Sequence, residues 1–215
     1  MSNLSLICYK CGGEMDEKSL SPTEYQWFCK KCSLFKNLRM PRPKIVERPF
    51  WGAQKAMERP DMIRYEENLF SIINRITIHH SRRMTSDPLW EIRQLQEVYL
   101  LKGYGDTPFH YFVDRDGAIY EGREIGFLGS HVKGGDFGNI GILVLGDYDA
   151  QGFPSGRNQW NSLIHLIAWQ MVMFNLSPSA LFPHSYFERT DCPGAHIRDR
   201  MKDIKKTVRE LLKKR

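Results

Sequence analysis

Arg75-Ile76-Thr77-Ile78-His79-His80-Ser81 alternates apolar Ile76 and Ile78 with polar Thr77 and His79, the period of a half-buried β-strand. Such a strand delivers an imidazole at its C-terminal end. Far downstream, His184-Ser185-Tyr186-Phe187-Glu188-Arg189-Thr190-Asp191-Cys192-Pro193-Gly194 holds an imidazole and a thiol, with a Pro-Gly stop directly after the thiol. Two histidines and one cysteine, His79, His184 and Cys192, make a three-ligand zinc set. The fourth tetrahedral position is left for water, which separates a catalytic zinc from a structural one.

The elements around these stretches alternate in type. Asn139-Ile140-Gly141-Ile142-Leu143-Val144-Leu145 is a nearly continuous apolar run, as expected of a central strand. Residues 110–114 and 118–121 flank Arg115-Asp116-Gly117 and read as a β-hairpin. Asp87-Pro88 starts a helix as cap and first helical residue, Trp90, Ile92, Leu95, Val98 and Tyr99 recur at helical spacing, and Gly103 closes it. Residues 158–175 carry Trp160, Leu163, Ile164, Ile167, Met171 and Phe174 on one stripe, and 196–213 read as one basic amphipathic helix. A short strand at Ala180–Phe182 leads into His184. Strands mixed with helices predict the α/β class, a mixed central β-sheet flanked by helices.

The N-terminal part differs. Cys8-Tyr9-Lys10-Cys11 and Cys29-Lys30-Lys31-Cys32 stand 17 residues apart, the spacing of a zinc ribbon rather than of disulfides. The expected organisation is a ribbon over 1–38, with Cys8, Cys11, Cys29 and Cys32 on a structural zinc, and a proline-stiffened linker over 39–48. The main domain then covers 49–215. A ribbon this small buries little apolar surface, so the metal supplies much of its folding energy.

The net charge of +6 divides as +4 over residues 1–48, −4 over 49–196 and +6 over 197–215. Basic ends suit a solvated lysine-rich face or attraction to an anionic polymer such as a cell wall. The ribbon is not strongly basic, so nucleic acid is not the expected partner. No apolar run approaches the roughly 20 residues of a membrane-spanning helix. The first residues lack a basic region ahead of an apolar stretch, so cytoplasmic synthesis is expected, with action on the wall after release.

From Trp51 to Gly194 the chain resembles the family of peptidoglycan recognition proteins and type 2 N-acetylmuramoyl-L-alanine amidases, which includes amidase-type phage lysozymes. The resemblance is carried, in family order, by five motifs. These are Trp51-Gly52-Ala53, Ile78-His79-His80-Ser81, the hairpin from Phe109 to Arg123, Gly129-Ser130-His131 with Asn139-Ile140-Gly141-Ile142, and His184 to Gly194. It implies the amidase/peptidoglycan recognition fold. It also implies a zinc hydrolase that cuts the amide between N-acetylmuramic acid and L-alanine, with peptidoglycan as partner. In that match His79, His184 and Cys192 ligate zinc. Thr190 takes a position held by Thr in recognition proteins and by Lys in phage enzymes. His131, Asn139 and Phe109 line the substrate side.

One position departs from the pattern. The family's hydrolases usually carry a Tyr where this chain has Phe109, and a hydroxyl donor of that kind is worth roughly 10²–10³ in rate. Tyr111, two residues on, is the expected replacement by strand alternation. His80 is expected to pack on the opposite face from His79. Two functions follow: a phage-type lysin or bacterial wall amidase, or a peptidoglycan-binding sensor without turnover. The stem-peptide preference is not legible.

Overall fold

The computed structural model describes residues 6–7, 14–21, 24–31, 35–38, 40–66, 68–150 and 157–213. At the N-terminus, backbone strands β1 (Leu6–Ile7), β2 (Glu14–Ser21), β3 (Glu24–Cys29) and β4 (Phe35–Leu38) pair antiparallel in that order. Cys8, Cys11 and Cys32 lie outside the described residues, and Cys29 ends β3.

The main body follows. It comprises β5 (Ile45–Val46), α1 (Arg48–Trp51), α2 (Leu69–Ile72), β6 (Arg75–His80), α3 (Pro88–Leu101), β7 (Tyr111–Val113), β8 (Ile119–Glu121) and β9 (Asn139–Val144). Helix α4 (Arg157–Met173), β10 (Leu181–Pro183), α5 (Ala195–Asp199) and α6 (Met201–Lys213) complete it. Six strands form one sheet in the order β10-β6-β9-β7-β8-β5, and only the β7–β8 hairpin pairs antiparallel. The stretch 39–48, read as a linker, contributes Met40 to the core and β5 to the sheet edge.

Alternation along the strands sorts side chains into two cores. Ile76, Ile78, Tyr111, Val113, Ile140, Ile142 and Val144 face α4 and α6, where Leu163, Ile167, Ile204 and Val208 meet them. Phe112, Leu143 and Leu145 face the other way, onto Trp51 and Ile92. The result is a three-layer sandwich. Helix α3 turns differently from its predicted stripe, because Ile92, Gln96 and Leu100 are buried while Trp90 is 48% exposed. Its start is as expected, with the Asp87 carboxylate accepting from the Trp90 amide at 2.9 Å. The predicted helix 196–213 is two helices that break at Arg200. Ile197, Met201, Ile204 and Val208 keep one apolar stripe across the break, so periodicity does not reveal it. Among the described residues, no helix is long and apolar enough to cross a membrane.

Two polar anchors tie the loops to the sheet. Trp51 donates its indole N–H to the Glu121 carbonyl at 2.7 Å, and Gly52 closes α1 in the left-handed region at φ 76°. Arg123, fully buried, donates to the carbonyls of Thr107, Asp61, Leu128 and Asp106 and pairs with the Asp61 carboxylate at 2.7 Å. It thereby locks the segment leading to Phe109. Arg123→Met strands these acceptors in the interior. It should cost about 3–5 kcal/mol, measured as a lowered urea midpoint; a loss under about 1 kcal/mol would show that the clamp is dispensable.

Candidate metal centre

The parallel register of β10 on β6 aligns Leu181 with Ile76, Phe182 with Thr77 and Pro183 with Ile78. The next residue of each strand is therefore a histidine, His184 beside His79, and their ring centroids lie 4.4 Å apart. The loop after β10 folds back on itself, since the Ser185 amide donates to the Cys192 carbonyl at 3.0 Å. Thr190 Oγ1 accepts from the Cys192 amide at 3.2 Å. Cys192 Sγ then lies 3.6 Å from His79 Nδ1. Gly194 is required after it: its φ is 91°, and a Cβ there would come within 2.6 Å of the Tyr148 backbone.

The three candidate ligand atoms lie within 4.8 Å of one another, as a group that could hold a metal ion. The chemistry of the set fits zinc, since two imidazoles and one sulfur are three of the four ligands of a tetrahedral site. A further observation supports the fit. His184 Nδ1 is buried without a hydrogen-bond partner, a cost in an interior unless something accepts its lone pair. Burial pushes the Cys192 thiol up to about 12, so a metal taken there must expel its proton. His79 is held well below its ordinary value by burial first and by neighbouring His131 and His184 second, and its imidazole is neutral.

The structure places the other predicted residues as follows. Phe109 packs on His79 at 4.9 Å and stacks on His131 at 6.0 Å. His131, expected in the groove, is instead a buried side chain against the ligand, its Nδ1 3.0 Å from His79 Nε2 and its Nε2 3.2 Å from the Asn139 carbonyl. Asn139 is also interior: its Oδ1 accepts from Thr77 Oγ1 at 2.9 Å and its Nδ2 donates to the Gly135 carbonyl at 2.8 Å. Tyr111 does not join Phe109. It lies in the α4 core on the opposite face, because the ladder loses its alternation just before β7. There the consecutive carbonyls of Phe109 and His110 accept from Arg123 and Gly122. Burial pushes the Tyr111 hydroxyl up to about 12. His80 packs on Tyr148, whose amide donates to its Nδ1 at 3.3 Å, and its Nε2 lies 4.0 Å from Asp149. Glu188, which the sequence did not single out, meets His184 Nε2 at 2.5 Å; its i,i+4 spacing from the histidine was the available signal.

A sandwich of this topology with such a cluster at the carboxyl ends of parallel strands defines a site-bearing α/β protein. A family model described as N-acetylmuramoyl-L-alanine amidase matches residues 70–195; the chain belongs to that family. Among curated relatives, it is 24% identical over 161 residues to peptidoglycan-recognition protein LB of Drosophila melanogaster, covering 72% of this chain and 66% of the relative, just under two thirds of its length. It is 33% identical over 110 residues to an endolysin of Klebsiella phage KP32, covering 50% of this chain and 72% of the endolysin. Among solved structures, the amidase LysC from Clostridium intestinale superposes with a TM-score of 0.63 at 24% identity, over 78% of this chain and 99% of that one. Peptidoglycan recognition protein-LE in complex with tracheal cytotoxin, a monomeric diaminopimelic acid-type peptidoglycan, superposes at 0.61 with 24% identity, over 73% and 92%.

Burial also makes this centre acid-sensitive. His110 and His131 are each pushed down to about 3, chiefly by burial, whereas an unfolded histidine titrates near 6.5. Below that value the unfolded chain binds protons that the folded one refuses, so stability falls as pH falls. Two such groups should remove about 2–3 kcal/mol per pH unit between roughly pH 6 and 4. Guanidinium titrations of metal-free protein check this, and a flat profile across that window would contradict the buried neutral pair.

Proposed function

We propose that this chain is a zinc-dependent peptidoglycan amidase that cleaves between N-acetylmuramic acid and L-alanine, as a phage-type lysin or bacterial wall enzyme. The observation that carries the reading is the convergence of His79, His184 and Cys192, with a bare, buried nitrogen on His184. Family membership and the relatives named as endolysin and amidase point the same way. Zinc bound by these residues supplies a Lewis acid and a water acidified towards neutrality. Thr190, tied to the Cys192 amide, is the one predicted assistant beside a ligand. Phe109 gives the site an apolar wall but no hydroxyl.

That missing hydroxyl favours a second reading, a peptidoglycan-binding sensor with little or no turnover. Incubating purified sacculi with the zinc-loaded chain separates the two. The amidase reading expects new L-alanine amino termini, abolished by chelator and lowered by about 10³-fold or more in Cys192→Ser. Sacculus binding without new termini would establish the sensor instead.

We also propose a structural zinc on Cys8, Cys11, Cys29 and Cys32, from their paired spacing, and contact of the basic ends with an anionic wall polymer. Metal analysis should then give two zinc ions per chain, falling to one in Cys192→Ser and to one in the double variant Cys8→Ser, Cys11→Ser. One zinc in the unaltered chain would remove one of the two sites.

A further inference from the structure

The ring contacts around the candidate ligands fix where their protons sit. Two imidazole nitrogens facing each other at hydrogen-bond distance share one proton, so one donates and the other accepts. Between His79 Nε2 and His131 Nδ1, 3.0 Å apart, the direction follows from the far side of His131. There Nε2 lies 3.2 Å from the Asn139 carbonyl oxygen, which only accepts. His131 therefore carries its proton on Nε2, leaves Nδ1 bare and receives the Nε2–H of His79. His79 is left with a bare Nδ1, and that atom faces Cys192 Sγ at 3.6 Å.

His184 reaches the same state by another route. Its Nε2 meets the Glu188 Oε1 at 2.5 Å, and a carboxylate only accepts, so Nε2 carries a proton and Nδ1 of the neutral ring is bare. That is the buried nitrogen without a partner. Both rings thus leave the same atom, Nδ1, free for a metal, each held from behind by a different acceptor, and a ligand atom of each lies within 4.8 Å of the other and of the Cys192 sulfur.

The fold makes specific room for the first of these. A Cβ on Gly141, in the middle of β9, would come 2.5 Å from the His131 ring, and one on Gly129 would come 2.6 Å from it. Glycine in a central strand weakens it and marks a close approach; here the approaching group is the His131 imidazole. The Asn139 carbonyl that orients His131 belongs to a residue pinned through Thr77 and Gly135.

We infer that His131 and Glu188 are positioning residues, seated behind His79 and His184, that fix both imidazoles as Nδ1 donors to one metal. The inference rests on the zinc reading above but concerns proton positions that exist before any metal binds. Glu188 is 42% exposed at its side chain and His131 is sealed, so the two contribute unequally. His131 holds geometry in a dry slot, and Glu188 adds a negative charge that solvent partly screens.

The test is nitrogen-15 NMR of the histidine rings in the full chain, first zinc-free and then titrated with zinc against a competing chelator. The ring signals report this site alone, whatever the N-terminal cysteines bind. Zinc-free protein should show His79 and His184 protonated on Nε2. His131→Phe should release the His79 tautomer but not that of His184, and weaken zinc at these rings about 10–100-fold. Glu188→Ala should release His184 only, with an effect towards the lower end of that range, while Glu188→Gln, whose amide oxygen still accepts, keeps the tautomer. Should His131→Phe fail to fold, the two Glu188 variants carry the test. Nδ1-protonated His79 or His184 in the zinc-free chain, or unchanged tautomers in folded His131→Phe and Glu188→Ala, would overturn the inference. Correct tautomers in a chain that never takes zinc would sink the amidase reading and the metal-donor role with it, leaving only the assigned proton positions standing.

Discussion

The pairing of β10 with β6 is the constraint from which the site follows. A one-residue slip in that parallel ladder would turn every side chain of β10 to the other face. His184 would then leave His79, and the loop carrying Cys192 would leave with it. The register is held by the core, since Leu181, Ile76 and Ile78 are buried against α4 and α6, while Thr77, on the opposite face, bonds Asn139 and ties β6 to β9. Burial of ordinary apolar residues thus sets the spacing of the reactive ones.

Around that point the chain uses backbone and loop chemistry to place the third group. Ser185 and Thr190 close the 184–192 loop on its own backbone, and Gly194 lets it turn against Tyr148. Arg123 does comparable work on the other side, where it fastens the loops before Phe109 and after β8. The candidate ligands therefore sit on a parallel sheet edge braced by two independent sets of polar contacts, as a metal site needs when its ligands come from distant segments.

Much of this was legible in the sequence where pattern and structure have the same period. β6, β9, the hairpin and α3 follow from alternation, from an unbroken apolar run or from capping, because neighbouring side chains alone decide them. Tyr111 was misplaced for a physical reason: two consecutive carbonyls at 109–110 accept bonds, so the period of two fails one step before the strand begins. The resemblance puts His131 and Asn139 on the substrate side, whereas the structure buries both. The burial of His131 depends on the absence of side chains at Gly129 and Gly141, a close approach that only the folded sheet reveals. Trp90 shows the reverse error, a large apolar residue counted into a stripe it does not join.

Anomalous diffraction from zinc-soaked crystals would locate the ion itself. A zinc peak is expected between His79 Nδ1, His184 Nδ1 and Cys192 Sγ, at about 2.0–2.1 Å from each nitrogen and about 2.3 Å from the sulfur. A map with no peak there, or with the Cys192 sulfur turned away from both rings, would contradict it.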